Sequence, residues 1–131
     1  MREILFRGKD FSGVINHNWC FGSLDTIEND RAIIIYSDRF GNKCRIFVDP
    51  STIGEYTGLK DKNGKRIFEG DIVTTKFNER NKPYATIYDE ELAAFIGRDK
   101  NNFNFTTLGC IDNSLIEIIG NIHDSPEMLE V

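Results

Sequence analysis

Four basic side chains fall within seven residues of this chain: Lys60, Lys62, Lys65 and Arg66, set around Asp61 and the pair Asn63-Gly64. Cations at the tip of a hairpin can contact phosphates or an acidic partner. The plainer reading of the same stretch is turn chemistry. Gly58, Gly64 and Gly70 supply positive φ, Asp61 and Asn63 make local side-chain turns, Asp71 serves a turn, and the lysines are solvated. Asn63-Gly64 is a strong hairpin signal, in which both turn residues are expected at φ > 0. A phosphate loop needs Gly-x-x-x-x-Gly-Lys-Ser/Thr ahead of a helix. Gly58 to Gly64-Lys65-Arg66 has another spacing, lacks the hydroxyl and sits on a hairpin, so that chemistry is excluded.

The other reactive residue types form no constellation. His17-x-x-Cys20 with Cys44 is one short pair and one distant thiol, whereas structural zinc takes paired ligands twice over. Those residues read as buried small thiols and a surface histidine, with no metal and no cofactor implied. Asp89-Glu90-Glu91 are adjacent carboxylates on a polar turn; acid–base work needs one carboxyl in an apolar pocket and another kept charged. No Gly-x-Ser-x-Gly elbow occurs, and His17 and His123 have no recognisable catalytic context. No catalytic residue is assigned. Trp19, Phe21, Tyr36, Phe47, Phe68, Phe103 and Phe105 alternate with polar residues, the spacing of a base-stacking sheet. With only Arg98 and Lys100 near the last two, these aromatics read as core.

Behind these residues stands a chain of 131 residues and net charge −5, sized for one domain or two small subdomains, 1–55 and 56–131. The charge is uneven. Residues 58–82 carry seven basic and four acidic groups, and residues 83–131 carry two basic and nine acidic. A generic polyanion binder has a basic surplus, so nucleic acid is disfavoured as a partner. Three cysteines at wide spacing suit a reducing compartment. The longest apolar run, Ala32 to Tyr36, is far short of a membrane span, and the first residues lack the apolar region of a signal peptide. No membrane is expected.

Short apolar runs between turn signals predict strands. They fall at Ile4–Phe6, ending at Gly8; Asn18–Leu24; Arg31–Ser37, whose isoleucine run predicts burial on both faces; and Lys43–Val48, with Cys44, Ile46 and Val48 on one face. Asp49 to Gly54 predicts one helical turn, with Asp49 as its cap and Pro50 first. Further strands are expected at Arg66–Phe68, Ile72–Thr75, Tyr84–Tyr88, Phe103–Leu108 and Ser114–Ile119, with a polar loop at 77–83; Asp89 to Ile96 reads either as a helical turn capped by Asp89 through Ala94 or, preferred as the hairpin partner of Phe103–Leu108, as a strand Ala93–Gly97 after an acidic turn. Ser125-Pro126-Glu127 predicts a short terminal helix capped by Ser125. The class is mainly β (β-rich α+β), built from short antiparallel strands with one or two short helical turns.

The segment Tyr56-Thr57-Gly58-Leu59-Lys60-Asp61-Lys62-Asn63-Gly64-Lys65-Arg66-Ile67-Phe68-Glu69-Gly70-Asp71-Ile72-Val73 resembles the signature of the YopX family of phage and prophage proteins. Arg2 to Lys9, Trp19 to Leu24, Val48-Asp49-Pro50 and Ile118 to Leu129 agree with it in order along nearly the whole chain. The chain departs from the common pattern at Cys20 and His123 and in the polar stretch 77–83. The resemblance implies a single domain with an SH3-like barrel in its C-terminal part, homo-oligomeric assembly, and a cytoplasmic setting in a bacterial host. It carries over no activity and no catalytic residue. The reading that follows is a non-catalytic assembly or protein-interaction module, whose partner is itself or another phage or host protein. A nucleic-acid-binding accessory protein using the hairpin 60–66 is the alternative, and an enzyme of unfamiliar type the remote third.

Overall fold

The computed structural model describes residues 3–13, 18–27, 30–75 and 82–130, the side chains of 105 and 106 apart. His17 and residues 77–81 of the expected loop lie outside these. Among the described residues eleven strands run in chain order: β1 (Phe6–Lys9), β2 (Trp19–Ile27), β3 (Ala32–Ser37), β4 (Lys43–Val48), β5 (Gly54–Lys60), β6 (Arg66–Phe68), β7 (Asp71–Thr75), β8 (Pro83–Asp89), β9 (Ala94–Arg98), β10 (Asn104–Thr107) and β11 (Ile116–Asn121). They form two antiparallel sheets, of order β4-β3-β2-β1-β5-β6 and β10-β9-β8-β7-β11. The chain divides into two compact units, Met1–Tyr56 and Thr57–Val131. Among the described residues the sheets do not close into a barrel, the second ending in β10 on one side and β11 on the other, so what is shown of the expected fold is its mainly β class in two antiparallel sheets.

In the first unit, alternation along each strand divides two faces. Cys20, Ala32, Ile34, Ile46 and Val48 pack into one cluster, with Tyr36 and Ile53 against it. The isoleucine run is buried on one face only: Ile34 is buried, while Ile33 and Ile35 are half-exposed on the other. The last residues of β4 come back to the end of β1. Asp10 bridges Val48, and the Asp49 N–H donates to the Lys9 carbonyl at 2.9 Å. This return brings Gly8 against Val48, where a Cβ would sit 2.8 Å from a valine methyl. Gly22 is tighter still, since a Cβ there would lie 2.0 Å from the Ile35 carbonyl oxygen. Gly8 therefore lies within β1 rather than ending it, and β1 starts at Phe6 instead of Ile4.

In the second unit, Ile67, Val73, Tyr84, Leu108 and Ile116 form the core, with Leu59, Ile111 and Ile118 packed on it. Pro83, expected in the loop, is buried and opens β8. Ala93 turns the chain with φ +50, and β9 begins one residue later than expected. Asn113–Leu115 is a 3-10 turn, so the last strand starts at Ile116. The terminal segment is likewise a single 3-10 stretch, Pro126–Leu129, and the Ser125 hydroxyl does not cap it. Four residues give too few internal hydrogen bonds for an α-helix. Among the described residues no helix is long and apolar enough to cross a membrane.

Candidate functional site

The basic hairpin is built around Asp61, whose side chain is 2% exposed. Its Oδ1 accepts the Asn63 and Lys65 N–H groups at 2.9 and 3.0 Å. The Gly64 N–H donates to its carbonyl, and its own N–H donates to the Lys65 carbonyl. Gly64 stands at φ +78, whereas Asn63 does not have a positive φ. The expected turn with both residues at φ > 0 is thus replaced by a three-residue connection with one left-handed residue at its end. The physical reason is the Asp61 carboxylate, which captures the two N–H groups and leaves the left-handed position to Gly64.

The same device recurs twice. Asp38 Oδ1 accepts from Phe40 and Asn42, with Gly41 at φ +81; Asp99 Oδ1 accepts from Asn101 and Phe103, with Asn102 at φ +64. Backbone N–H groups hold the Asp38 carboxyl below the usual range, that of Asn42 foremost. The Lys82 ammonium, bonded to Asp99, does the same there with help from Phe103 and Asn101.

All four predicted basic residues, Lys60, Lys62, Lys65 and Arg66, are exposed. Lys62 is tied down: its N–H donates to the Ile116 carbonyl at 2.8 Å and its ammonium lies 3.1 Å from Glu117. Asp61 Oδ2 accepts the Ile118 N–H in the same place. The hairpin tip is therefore docked on β11 rather than extended into solvent. Gly58 and Gly70 take φ +86 and +90, and Asp71 Oδ2 accepts the Phe68 N–H at 2.7 Å across the turn to β7.

No group of three or more metal-ligating side chains occurs among the described residues. The cysteines are unpaired with one another. Burial, with the nearby Asp10 charge, pushes the Cys20 thiol up to about 11, which keeps it protonated and unreactive near neutrality. His123 and Asp124 donate their N–H groups to Asn121 Oδ1, a local side-chain turn.

The aromatics depart most from expectation. Phe68 is buried, but Phe21 is 47% exposed, Phe47 44% and Phe103 71%. Strand register explains the first two. Phe21 pairs with Arg7 and Phe47 with Ile33, both on the face opposite Cys20, Ile34 and Val48. The same outward face carries Trp19, Lys43 and Arg45. The Arg7 guanidinium lies 4.6 Å from the Trp19 ring centroid, that of Arg31 5.9 Å from Phe47, and that of Arg39 5.0 Å from Phe40. Arg45 also pairs with Asp25 at 2.7 Å. These outward residues formed no motif in the sequence. The signal that could have found them is Lys43-x-Arg45-x-Phe47, a basic and aromatic alternation on one strand.

Comparison with known proteins bears on the fold and the family. No curated protein matches. A crystal structure of protein EF1440 from Enterococcus faecalis is similar at TM-score 0.57 and 22% identity, over 98% of this chain and 99% of that one. That likeness shows a shared fold. The model of the YopX protein family matches residues 6–130, nearly the whole chain, and the protein belongs to the YopX family.

Proposed function

We propose that this protein is a non-catalytic assembly module whose copies join through the open edge of the second sheet. The supporting observation is Phe103. Its N–H donates to Asp99 Oδ1 and its carbonyl accepts the Asp99 N–H, each at 3.0 Å, yet its ring is 71% exposed. An apolar ring on a fixed backbone costs little entropy to bury on binding. It stands at the head of β10, the terminal strand of its sheet, and a terminal strand presents backbone groups that a second strand can pair. A second copy supplies the matching strand, and two-fold pairing of β10 with β10 closes the assembly. Four residues of edge make a small interface, so the association is concentration-dependent rather than obligate.

The phage-type setting implied by the family resemblance suits such a module. The hairpin 60–66 is the weaker candidate for a binding surface, because Glu117 neutralises Lys62 within the chain. Light scattering on a size-exclusion column tests the reading. Wild type is expected to shift from monomer toward dimer as concentration rises, and Phe103→Asp to remain monomeric. A wild type that stays monomeric, or a Phe103→Asp variant that still dimerises, overturns it.

A further inference from the structure

We propose that copies of this protein also meet head to tail, the acidic β8–β9 turn of one seating on the basic hairpin of the next. This contact rests on the assembly reading: it gathers β10-paired dimers into a larger species. Both surfaces belong to the second unit. The turn carries Asp89, Glu90 and Glu91. Arg98 lies 3.8 Å from Asp89 and balances it, while Glu90 and Glu91 are exposed and form no ion pair among the described residues. The hairpin has the opposite pattern. Glu117 balances Lys62, while Lys60 and Lys65 are exposed and likewise form no ion pair among the described residues. One end of the unit thus holds a surplus of acid and another a surplus of base.

These surpluses lie too far apart to meet within the chain. The hairpin docks on β11, where Glu117 is level with Thr74 and Thr74 with Pro83. Pro83 opens β8, and the acidic turn follows its other end, 7 residues and about 20 Å along the strand. β7 stands between β8 and β11 as well. An ion pair needs its charged atoms within about 4 Å, so only another molecule can balance either surplus by contact. A basic protein would match the turn alone and a polyanion the hairpin alone, whereas a second copy matches both. Each surface is already fixed in shape. The Leu92 N–H donates to Asp89 Oδ1 at 3.0 Å, and Ala93 closes the turn at φ +50, a costly conformation for alanine. Asp61 fixes the hairpin. Fixed turns lose little backbone entropy on docking, and Leu92, 58% exposed beside the two glutamates, adds an apolar contact. Exposed ion pairs are weak, so one such contact does not hold two monomers. A dimer presents two turns and two hairpins, and contacts made together reinforce each other. A contact between unlike ends repeats from copy to copy, so the assembly grows past the dimer.

The test is light scattering on a size-exclusion column with the full chain, at about 20 mM salt and again at about 0.5 M, where exposed charges are screened. Wild type is expected to run larger than a dimer at low salt and as the dimer at high salt. Lys60→Glu/Lys65→Glu and Glu90→Lys/Glu91→Lys, all at exposed positions, should each stop at the dimer at low salt. Combining the four substitutions in one chain restores complementary ends and leaves the net charge unchanged, so that variant should regain the larger species. Damage to the fold, or attraction through net charge alone, does not predict that recovery. A wild type that stops at the dimer at low salt overturns the proposal and leaves the β10 pairing standing. So does a four-fold variant that is folded by circular dichroism yet stays a dimer. A wild type that is monomeric at every salt and concentration overturns both.

Discussion

The Asp61 carboxylate accepts the Ile118 N–H at 3.1 Å, joining residues 57 apart in the chain. Its other oxygen organises the hairpin, so one side chain both shapes the Asp61–Lys65 turn and fixes it to β11. Replacing Asp61 with Ala leaves three backbone N–H groups without their acceptor at a buried site. Asp61→Ala is expected to lose roughly 2–4 kcal/mol in urea unfolding. Lys65→Ala, exposed on the same turn, should change stability by less than about 0.5 kcal/mol.

The inner face of the first sheet is closed by glycines. A methyl group at Gly22 meets the Ile35 carbonyl, a backbone atom that cannot move alone. Gly22→Ala is expected to cost about 3 kcal/mol or more, by forcing β2 from β3. Gly109→Ala, with nothing within 4 Å of its Cβ, should be near neutral. Thermal unfolding of the two variants side by side checks the difference.

Among the described residues, two carry backbone cost that glycine would relieve. Ala93 at φ +50 and Asn102 at φ +64 occupy the left-handed region. Ala93→Gly should stabilise by about 0.5–1 kcal/mol. Asn102→Gly should gain less, because asparagine tolerates that region better. A stability loss in Ala93→Gly contradicts the geometry.

Asp99 predicts a pH response. Its carboxyl is held below the ordinary 3.8, first by the hydrogen bond from Lys82. A depressed folded value stabilises the protein above the unfolded one and is lost as pH falls through the folded one. Lys82→Met should therefore be less stable than wild type at pH about 7. The gap should narrow as pH falls below the ordinary carboxyl value of 3.8. Denaturant midpoints across that range measure it, and a constant gap would show that Lys82 acts by packing instead.

Strand positions were legible in the sequence where alternation was clean, as in Lys43 to Val48. Which face turned inward was not legible in β3, because Ile33 and Ile35 are as apolar as Ile34. The decision comes from Gly8 and Gly22, whose missing side chains let strands approach on the Ile34 side alone. For the same reason the sequence reads Phe47 as core: a phenylalanine on a strand beside an isoleucine run looks buried until the register is known. Asn63-Gly64 suggested its usual turn, and Asp61 overrode it by long reach along its own loop. The Asp-x-x-Gly or Asp-x-x-Asn spacing at 38, 61 and 99 was the available clue. The docking of Lys62 on Glu117 joins residues too distant in sequence for any local signal.

The assembly account is tested most directly by amide hydrogen exchange at β10, followed as protein concentration is raised. Pairing of β10 with its copy predicts slower exchange at Asn104–Thr107 at high concentration, with β3, an interior strand, unchanged. Exchange at β10 that is the same at every concentration, while light scattering shows a dimer, would place the interface elsewhere and contradict the account.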